Sequence, residues 1–563
     1  MLRISSKWRL GVTALLALSV SWSLLVGGSA GLRAEQPVVV QERLPIGPVT
    51  GTLFVCGGGP LPSTVIDRYL ELGGGPEARV VIITTASGLA GTPELHAKFD
   101  HWLDRKPASM TFLHTRNRDE ANTDEFSQVL VNCSAIWLTG GNQNLLTDAY
   151  LGTLVEKRCH ELLQRGGVIG GTSAGAAVMS KTMISGGLFE PMMASGFGFL
   201  PGTIIDQHFS QRKRQDRLFH ALGQHPGSVG IGIDESTAVV IRGRSLEVIG
   251  SADVTVCLAA SDRRPARVQS LMQGQKEDIV QLSRAAIARA QSQAAKPRVS
   301  VPEVKDGTLI IAGEGPTPRE AIDKFLMAAG GKDSSIIVVS NASSEEPPEE
   351  RFVCGWLTEA GASNVRQLHV RSHNDLANSD LKSVVKKATG VWFTGGRQSR
   401  LVDAYLDTPF QTLFRDVLQR GGVIGGTSGG AAMQGEYLVQ INPVGQKEPL
   451  AEGYERGFGF FSGVAIDQHV AQQNQFEDMT ELKKSYPQLI GLGIHEATAL
   501  IVTGTTMEVV GKSQVSVFDR QPDDSATEPE FAVVKAGQRY DFKQRRRVET
   551  SLAVGTIDAA PAK

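Results

Sequence analysis

The strongest constraint on this chain is an internal repeat, because its second half restates the motifs of its first half in the same order. Residues 164–173 reappear unchanged as 419–428. Four further pairs keep nearly the same offset: residues 51–60 with 307–316, 137–143 with 392–398, 205–208 with 466–469, and 232–235 with 493–496. Five ordered matches indicate two copies of one unit, which we name copy one and copy two.

The repeat defines the predicted domains. We assign residues 51–280 to copy one and 306–543 to copy two, because a Gly-Gln pair near 274 and 537 closes each unit. Residues 281–305 form a polar linker that either carries one helix over about 277–294 or is a plain tether. Residues 544–563 are predicted to be a C-terminal tail.

The N-terminus has the layout of an export signal. Arg3, Lys7 and Arg9 precede a mostly apolar run over 10–26, and small residues follow as far as Ala34. We therefore predict a signal peptide over 1–34 and an exported protein, periplasmic or extracellular. An uncleaved membrane anchor is the alternative, because the apolar run is barely long enough to span a bilayer.

Composition excludes several functional classes. Hydrophobic residues make up 41% of the 563, which permits sizeable cores. The net charge of −2 gives no basic excess, so we expect no nucleic-acid partner. Five scattered cysteines without a C-x-x-C pair predict neither a disulfide framework nor a cysteine zinc site. An odd count leaves at least one thiol unpaired, or all of them buried.

Short runs of valine and isoleucine alternate with longer amphipathic segments. In copy one, strands are predicted over 52–56, 80–84, 135–138 and 168–169, and helices over 62–72 and 145–165. This alternation predicts an α/β fold with a mainly parallel sheet covered by helices on both faces. In such folds catalytic groups lie at the carboxyl ends of the strands.

One of these strand ends carries a candidate nucleophile. Gly171-x-Ser173-x-Gly175 joins a strand to a run of small helix formers, which is the layout of a nucleophile elbow. The sharp turn requires small neighbours, and the following helix directs N–H groups at developing negative charge. A chance match with an idle serine is the alternative, but the motif recurs in phase around Ser428.

A nucleophilic serine needs a base and a group that orients the base. His208 and its counterpart His469 lie within an unchanged Ile-Asp-Gln-His, and we favour them over the other repeated pair, His114 and His369. For the orienting acid we favour Glu235, because 27 residues separate it from His208. The same spacing separates Glu496 from His469. The competitors Asp206 and Asp467 lie only two positions before each histidine.

Other residues are candidates for binding. The amides of Gly141 and Ala174 are predicted to form an oxyanion hole, and Gln143 is predicted to contact substrate, as is its counterpart Gln398 in copy two. After His208 follow Arg212, Arg214 and Arg217, whose planar forks suit a carboxylate. A solvated basic helix face is the alternative.

Copy two departs from copy one at these arginines. Gln473, Gln475 and Asp478 replace them, and His495 replaces Asp234. We therefore expect copy one to be the competent site and copy two to be impaired or altered in specificity.

These motifs resemble the serine peptidase family that contains cyanophycinase and peptidase E, over nearly the whole chain after the signal. The resemblance implies two tandem flavodoxin-like, three-layer α/β/α domains related to class I glutamine amidotransferases. It implies a Ser173–His208–Glu235 triad, with Gln143, Asp206, Gln207 and the three arginines lining the substrate pocket. Asp206 would meet a substrate guanidinium, and no metal or cofactor is implied.

The resemblance also implies a substrate. Cyanophycinases hydrolyse cyanophycin, an aspartate backbone with arginine on each β-carboxyl, to β-Asp-Arg dipeptides. Family members carry one unit and pair as dimers, so tandem copies suggest a pseudo-dimer within one chain. Two alternatives remain: an exported peptidase of the same family acting on other Asp-containing or isopeptide substrates, and a non-catalytic protein that only binds a peptide or polymer. A class I amidotransferase is disfavoured, because those enzymes use cysteine where this elbow has serine.

Overall fold

The structure is a computed structural model that describes residues 47–262, 264–292, 301–344, 346–370, 375–439, 452–468, 476–519 and 531–548. The predicted signal peptide lies outside these ranges, as do His469, Gln473 and Gln475. Within the described part, no helix combines the length and apolar character needed to cross a membrane.

Copy one contains fourteen strands and ten helices in the described ranges. The strands are β1 Val49–Cys56, β2 Arg79–Ile83, β3 Ser109–Leu113, β4 Ala135–Leu138, β5 Val168–Thr172, β6 Thr182–Gly186, β7 Met192–Ser195, β8 Thr203–Gln207, β9 Val229–Ile233, β10 Thr237–Gly243, β11 Ser245–Gly250, β12 Val254–Leu258, β13 Arg267–Leu271 and β14 Lys276–Asp278. The helices are α1 Ser63–Leu72, α2 Pro93–Ala97, α3 Asp100–Leu103, α4 Arg118–Ala121, α5 Asp124–Ser127, α6 Gln143–Tyr150, α7 Leu154–Gln164, α8 Ala174–Ala177, α9 Gln215–Gln224 and α10 Ile279–Ser292.

Copy two repeats this order with fourteen strands and seven helices among the residues described. Its strands are β15 Val304–Ala312, β16 Ile336–Val339, β17 Val365–Leu368, β18 Gly390–Phe393, β19 Val423–Thr427, β20 Gly435–Leu438, β21 Phe461–Asp467, β22 Ile490–Ile494, β23 Thr498–Gly504, β24 Thr506–Gly511, β25 Gln514–Phe518, β26 Ala532–Lys535, β27 Arg539–Asp541 and β28 Arg546–Val548. Its helices are α11 Arg319–Ala328, α12 Glu350–Glu359, α13 Ser379–Lys387, α14 Gln398–Tyr405, α15 Pro409–Gln419, α16 Gly429–Ala432 and α17 Phe476–Ser485.

Each copy has one large and one small sheet, and in copy one β6 and β7 form a further two-stranded sheet. In copy one the large sheet has the order β14-β11-β10-β1-β5-β4-β2-β3 and the small sheet β13-β12-β9-β8. Copy two has β17-β16-β18-β19-β15-β23-β24-β27-β28 and β20-β21-β22-β25-β26. In each large sheet five neighbouring strands pair parallel, β1, β5, β4, β2 and β3 in copy one and β15, β19, β18, β16 and β17 in copy two. Antiparallel strands continue the sheets on the other side, beginning with β10 and β23.

The central strands are buried on both faces. Leu53 and Val55 of β1 point into one hydrophobic core, whereas Phe54 and Cys56 between them point into another. In copy two, β15 divides its side chains between two cores in the same way. Alternating side chains can enter two cores only if other elements cover both faces of the sheet. The predicted two-domain α/β fold with helices on both faces is therefore confirmed, whereas its kinship to amidotransferases stays a prediction.

The helix predicted over 145–165 is two helices, α6 and α7. Gly152 lies between them with a φ of 77°, a left-handed conformation that breaks the helical path. Amphipathic periodicity continues across this break, so the periodicity alone cannot reveal it.

Helix α10 covers much of the segment predicted to be a linker, and it packs between the copies. Its Arg284 is 2% exposed and bonds Asp403 of α14 at 2.7 Å, and its Arg289 pairs with Glu452. Arg244, in the turn between β10 and β11, also pairs with Asp403. Helix α10 is therefore part of the contact between the copies. Strand β28 likewise extends into the predicted tail.

Candidate active site

The nucleophile candidate lies on a strained turn where β5 ends. Ser173 has a φ of 52° and a ψ of −109°, a combination that non-glycine residues rarely adopt, and α8 begins at the next residue. The turn needs small neighbours. A Cβ on Gly175 would lie 2.7 Å from Cβ of Leu138, and one on Gly171 would lie 2.6 Å from the carbonyl carbon of Gly175. Close packing against neighbouring residues thus explains why Gly171 and Gly175 are glycines.

A histidine and a carboxylate complete a hydrogen-bonded chain with this serine. His208 follows β8, and its Nε2 lies 2.8 Å from Oγ of Ser173. Its Nδ1 lies 2.6 Å from Oε1 of Glu235, in the turn between β9 and β10. The predicted competitor His114 instead bonds Thr85 at 3.0 Å. The structure therefore brings together Ser173, His208 and Glu235, which come from three different strand ends.

The environment of His208 favours its neutral form. Burial lowers the pKa of His208, and the positive charges of Arg212 and Arg214 lower it further, against the hydrogen bond and charge of Glu235, which raise it. A neutral imidazole can accept the serine proton at Nε2 when Nδ1 donates to Glu235. The site is therefore arranged for general-base chemistry near neutral pH.

A glycine run that the functional analysis missed makes room for these side chains. A Cβ on Gly58 would lie 2.5 Å from Nε2 and 2.8 Å from Nδ1 of His208, and one on Gly59 would lie 2.9 Å from Oε2 of Glu235. Gly57 accepts the His208 amide at 2.7 Å. These glycines belong to the repeated Gly51–Pro60 motif, whose repetition alone does not show which side chains the glycines face.

The predicted oxyanion donors flank the serine. Gly141 follows β4 with a φ of 142°, and a Cβ there would overlap the carbonyl group of Ala86. Its neighbour Gly140 approaches Ser173, since a Cβ on it would lie 3.4 Å from the serine Cβ. Ala174 is the first residue of α8, so its N–H has no acceptor within that helix. This arrangement leaves backbone donors beside the serine.

The side chain of Gln143, predicted to contact substrate, makes hydrogen bonds within the protein. Its Nε2 donates to the carbonyl oxygens of Ile184 at 2.9 Å and Ser185 at 3.1 Å, both in β6. Both side-chain donors are therefore used to hold the β6–β7 hairpin, and only the side-chain oxygen remains for a substrate. Gln398 of copy two occupies the same position at the start of α14.

The acid and two of the arginines predicted to contact substrate are paired with one another. Asp206 is fully buried and bonds Nε of Arg217 at 2.9 Å and Nη1 of Arg214 at 3.2 Å. Arg217 is 5% exposed and also donates to Gly187 of the β6–β7 hairpin at 2.7 Å. The Asp206 carboxylate, predicted to meet a substrate guanidinium, is thus engaged by two guanidinium groups of the protein itself, and Arg217 connects it to the hairpin. Gln207 is buried, and its carbonyl accepts from Arg214 at 2.6 Å.

Arg212 is the exposed member of the arginine set. Its amide bonds the carbonyl of His208 at 3.0 Å, which places it one turn beyond the imidazole, although this segment is a series of turns and not a helix. Its positive charge lowers the pKa of His208. Arg212 is therefore the arginine best placed to receive a substrate carboxylate.

Copy two keeps part of this arrangement. Ser428 has a φ of 47° and a ψ of −121°, and Gly396 has a φ of 132°, close to the values of Ser173 and Gly141. Glu496 lies in the turn between β22 and β23, as Glu235 does between β9 and β10. The predicted base His469 lies outside the described residues. Among the residues described, no group of three or more His, Cys, Asp or Glu could hold a metal ion.

Comparisons with known proteins match both copies. The model of Peptidase family S51 matches residues 53–249 and 309–510. A cyanophycinase of Geminocystis herdmanii is 34% identical over 210 residues, 34% of this chain and 74% of the relative. A cyanophycinase of Nostoc sp. is 34% identical over 218 residues, 32% of this chain and 71% of the relative. A solved peptidase from an acI-B1 Actinobacterium gives a TM-score of 0.35 at 22% identity, covering 41% of this chain and 98% of that one.

Proposed function

The chain belongs to peptidase family S51 and is a serine-type peptidase, and on that premise we propose that it hydrolyses cyanophycin to β-Asp-Arg dipeptides at the site of copy one. The observation that carries the proposal is the chain of hydrogen bonds from Ser173 through His208 to Glu235, at 2.8 and 2.6 Å. The cyanophycinase relatives support the choice of polymer.

The proposed mechanism is acyl transfer. His208 takes the proton from Oγ of Ser173 through Nε2, while Glu235 holds the proton on Nδ1 and stabilises the imidazolium that forms. Ser173 attacks the carbonyl carbon of an aspartate backbone amide, and the amides of Gly141 and Ala174 stabilise the oxyanion. His208 then protonates the leaving amine, and a water molecule, deprotonated by the same imidazole, releases the acyl group.

The electrostatics of copy one suit this polymer. Each aspartate of cyanophycin bears an arginine whose α-carboxylate is free, and the exposed guanidinium of Arg212 beside His208 is a fitting receptor. The polymer's guanidinium does not bind Asp206 in this scheme, because Arg214 and Arg217 already neutralise that carboxylate.

A direct assay tests the proposal. The protein is incubated with cyanophycin and the products are identified by mass, for the wild type, Ser173→Ala and Ser428→Ala. We expect β-Asp-Arg from the wild type and from Ser428→Ala, and a loss of at least about a thousandfold for Ser173→Ala. Equal losses for the two variants would overturn the assignment to copy one. Turnover of other Asp-containing peptides without β-Asp-Arg release would favour a different substrate.

We further propose that the protein is exported, on the basis of the basic and apolar N-terminal sequence. N-terminal sequencing of protein recovered outside the cytoplasm should begin after Ala30 or Ala34. Recovery of the intact N-terminus in the cytoplasmic fraction would contradict this.

A further inference from the structure

Copy two carries a side chain where copy one needs empty space. The counterpart of Gly58 is Glu314. The carbonyl of Gly58 accepts from Ser236 at 2.9 Å and that of Glu314 accepts from Ala497 at 2.8 Å, but Gly58 has a φ of 106° and Glu314 does not share this positive φ. A Cβ on Gly58 would overlap the ring of His208. The glycine that makes room for His208 in copy one is thus replaced in copy two by a glutamate with a different backbone conformation.

A second change removes an anchor of the histidine turn. In copy one Asp234 accepts the amide of Ser210 at 2.8 Å, which fixes the turn that follows His208. His495 replaces Asp234 in copy two, and its buried Nε2 has no hydrogen-bond partner among the residues described. Both positions therefore differ from the residues that surround His208 in copy one.

The space beside the elbow of copy two is nevertheless open. A cleft with a cavity of about 310 Å³ lies there, which is within the size range of small-ligand sites. Its wall includes a carboxylate, two indole rings and four hydroxyl-bearing side chains, among them Glu314, Trp356, Trp392 and Ser428. The two indole rings lie 5.0 Å apart at 69°. Trp356 is partly exposed, whereas its counterpart Trp102 in copy one is only 3% exposed.

This wall has the chemistry of a cation receptor. A carboxylate attracts a positive group, an indole face stabilises a cation stacked on it, and threonine and serine hydroxyls accept N–H bonds. A guanidinium suits a carboxylate, an indole face and hydroxyl acceptors better than an ammonium does, because it is planar, presents several N–H donors and is weakly hydrated.

We propose that copy two is a non-hydrolytic binding site for a guanidinium side chain, in the cavity between Glu314, Trp356 and Ser428. The identity of the natural ligand rests on the proposed function, since cyanophycin carries a guanidinium on every repeating unit. A site that holds one arginyl side chain keeps the polymer attached to the chain while copy one cleaves it, which raises the local substrate concentration.

The test separates this site from the hydrolytic one. Full-length protein carrying Ser173→Ala is titrated calorimetrically with L-argininamide and with L-citrullinamide, which has the same α-amino group but an uncharged side chain. We expect L-argininamide alone to bind, and Glu314→Gln to raise its dissociation constant about tenfold, as expected for a lost charge-assisted bond. Glu314→Gly, which restores the residue of copy one, should have the same effect. Glu320→Gln changes an exposed acid of α11 outside the cavity and should leave binding unchanged.

Two outcomes would overturn the proposal: equal binding of L-citrullinamide, or unchanged L-argininamide binding in both Glu314 variants. A second measurement uses sedimentation of insoluble cyanophycin, with which Glu314→Gln should reduce the co-sedimenting fraction of Ser173→Ala protein. If the wild type fails to cleave cyanophycin, the proposed function falls, but the L-argininamide titration still decides whether copy two binds guanidinium groups.

Discussion

At the scale of single residues, the proton affinity of His208 sets the conditions under which the site works. Burial and the nearby arginines lower its pKa below the ordinary 6.5, so the imidazole stays neutral to lower pH than a solvated histidine. Only the neutral form accepts the proton of Ser173. We therefore expect kcat/KM to fall on the acid side with a midpoint below 6.5.

The charge of Arg212 leads to a second prediction about the pH dependence of kcat/KM. Its guanidinium disfavours protonation of His208, so Arg212→Gln should raise the pKa of that imidazole and move the acid limb of kcat/KM to higher pH. Loss of the carboxylate receptor should also raise KM about tenfold. The measurement is a pH–rate profile with cyanophycin. An acid limb that stays in place or moves to lower pH would contradict the electrostatic role.

The lack of a side chain at Gly58 leads to a further prediction at the scale of single residues. Gly58→Ala should push the ring of His208 out of line with Ser173 and reduce kcat about a hundredfold or more. Gly75→Ala is a matched control, since Gly75 also has a positive φ but a Cβ there meets nothing within 4 Å. The control should lose about 1 kcal/mol of stability and no activity. Equal activity of the two variants would show that the glycine does not position the ring.

At the scale of elements, side chains of α6 and α9 hold the β6–β7 hairpin, among them His220, whose Nδ1 lies 3.3 Å from the carbonyl oxygen of Phe189. Gln143 at the start of α6 bonds two carbonyls of β6, and Arg217 of α9 bonds the carbonyl of Gly187 while it holds Asp206. The hairpin otherwise exposes apolar side chains at its tip, with Leu188, Phe189 and Met192 each more than 60% exposed. Its position over the site therefore depends on these anchors.

Gln143→Ala tests that dependence. Loss of two hydrogen bonds, each contributing about 1 kcal/mol, should make local opening of the hairpin roughly ten- to a hundredfold more frequent. Hydrogen exchange of the amides of β6 and β7 measures this, and kcat/KM should fall in parallel. Asp148→Ala on the same helix serves as control, because its side chain is exposed. Unchanged exchange in the hairpin would refute the anchoring role.

Much of the fold and the catalytic constellation could be predicted from the sequence, because both depend on local patterns that the repeat shows twice. The equal 27-residue spacing to Glu235 and Glu496 was sufficient to choose the acid that contacts His208. The partners of Asp206 could not be predicted, since residues 206 and 217 meet only when α9 packs against β8. Likewise, the sequence does not show that α10 packs between the copies, because an amphipathic pattern predicts a helix with one buried face but not the surface against which that face packs.

At the scale of the whole molecule, stability does not rest on disulfides. All five cysteines are buried and unpaired, and burial raises the pKa of Cys133, Cys257 and Cys354 each to about 11. We expect no labelling of the native protein by a disulfide reagent at pH 8, and labelling of five thiols in concentrated guanidinium chloride. Rapid labelling of any thiol in the native state would contradict this burial.

The contact between the copies is a concentrated set of buried charges. Asp403 of copy two accepts from Arg284 of α10 at 2.7 Å and from the hydroxyl of Tyr454 at 3.0 Å, and it also pairs with Arg244 of copy one. Arg284 is 2% exposed, so removal of this carboxylate would leave a guanidinium buried without its counter-ion. The charge at 403 thus ties the stability of copy one to that of copy two.

Asp403→Ala should therefore destabilise the protein by about 3–5 kcal/mol, the usual result of breaking one partner of a buried ion pair. Equilibrium unfolding in urea measures the loss. Because α10 contacts both copies, we expect one unfolding transition for the wild type and two for the variant. Asp323→Ala breaks the exposed pair of Asp323 with Arg319 and should change stability by less than about 0.5 kcal/mol. Equal effects of the two substitutions on the free energy of unfolding would mean that each copy is stable without the contact. Copy two would then contribute to function through its own binding site and not by stabilising copy one.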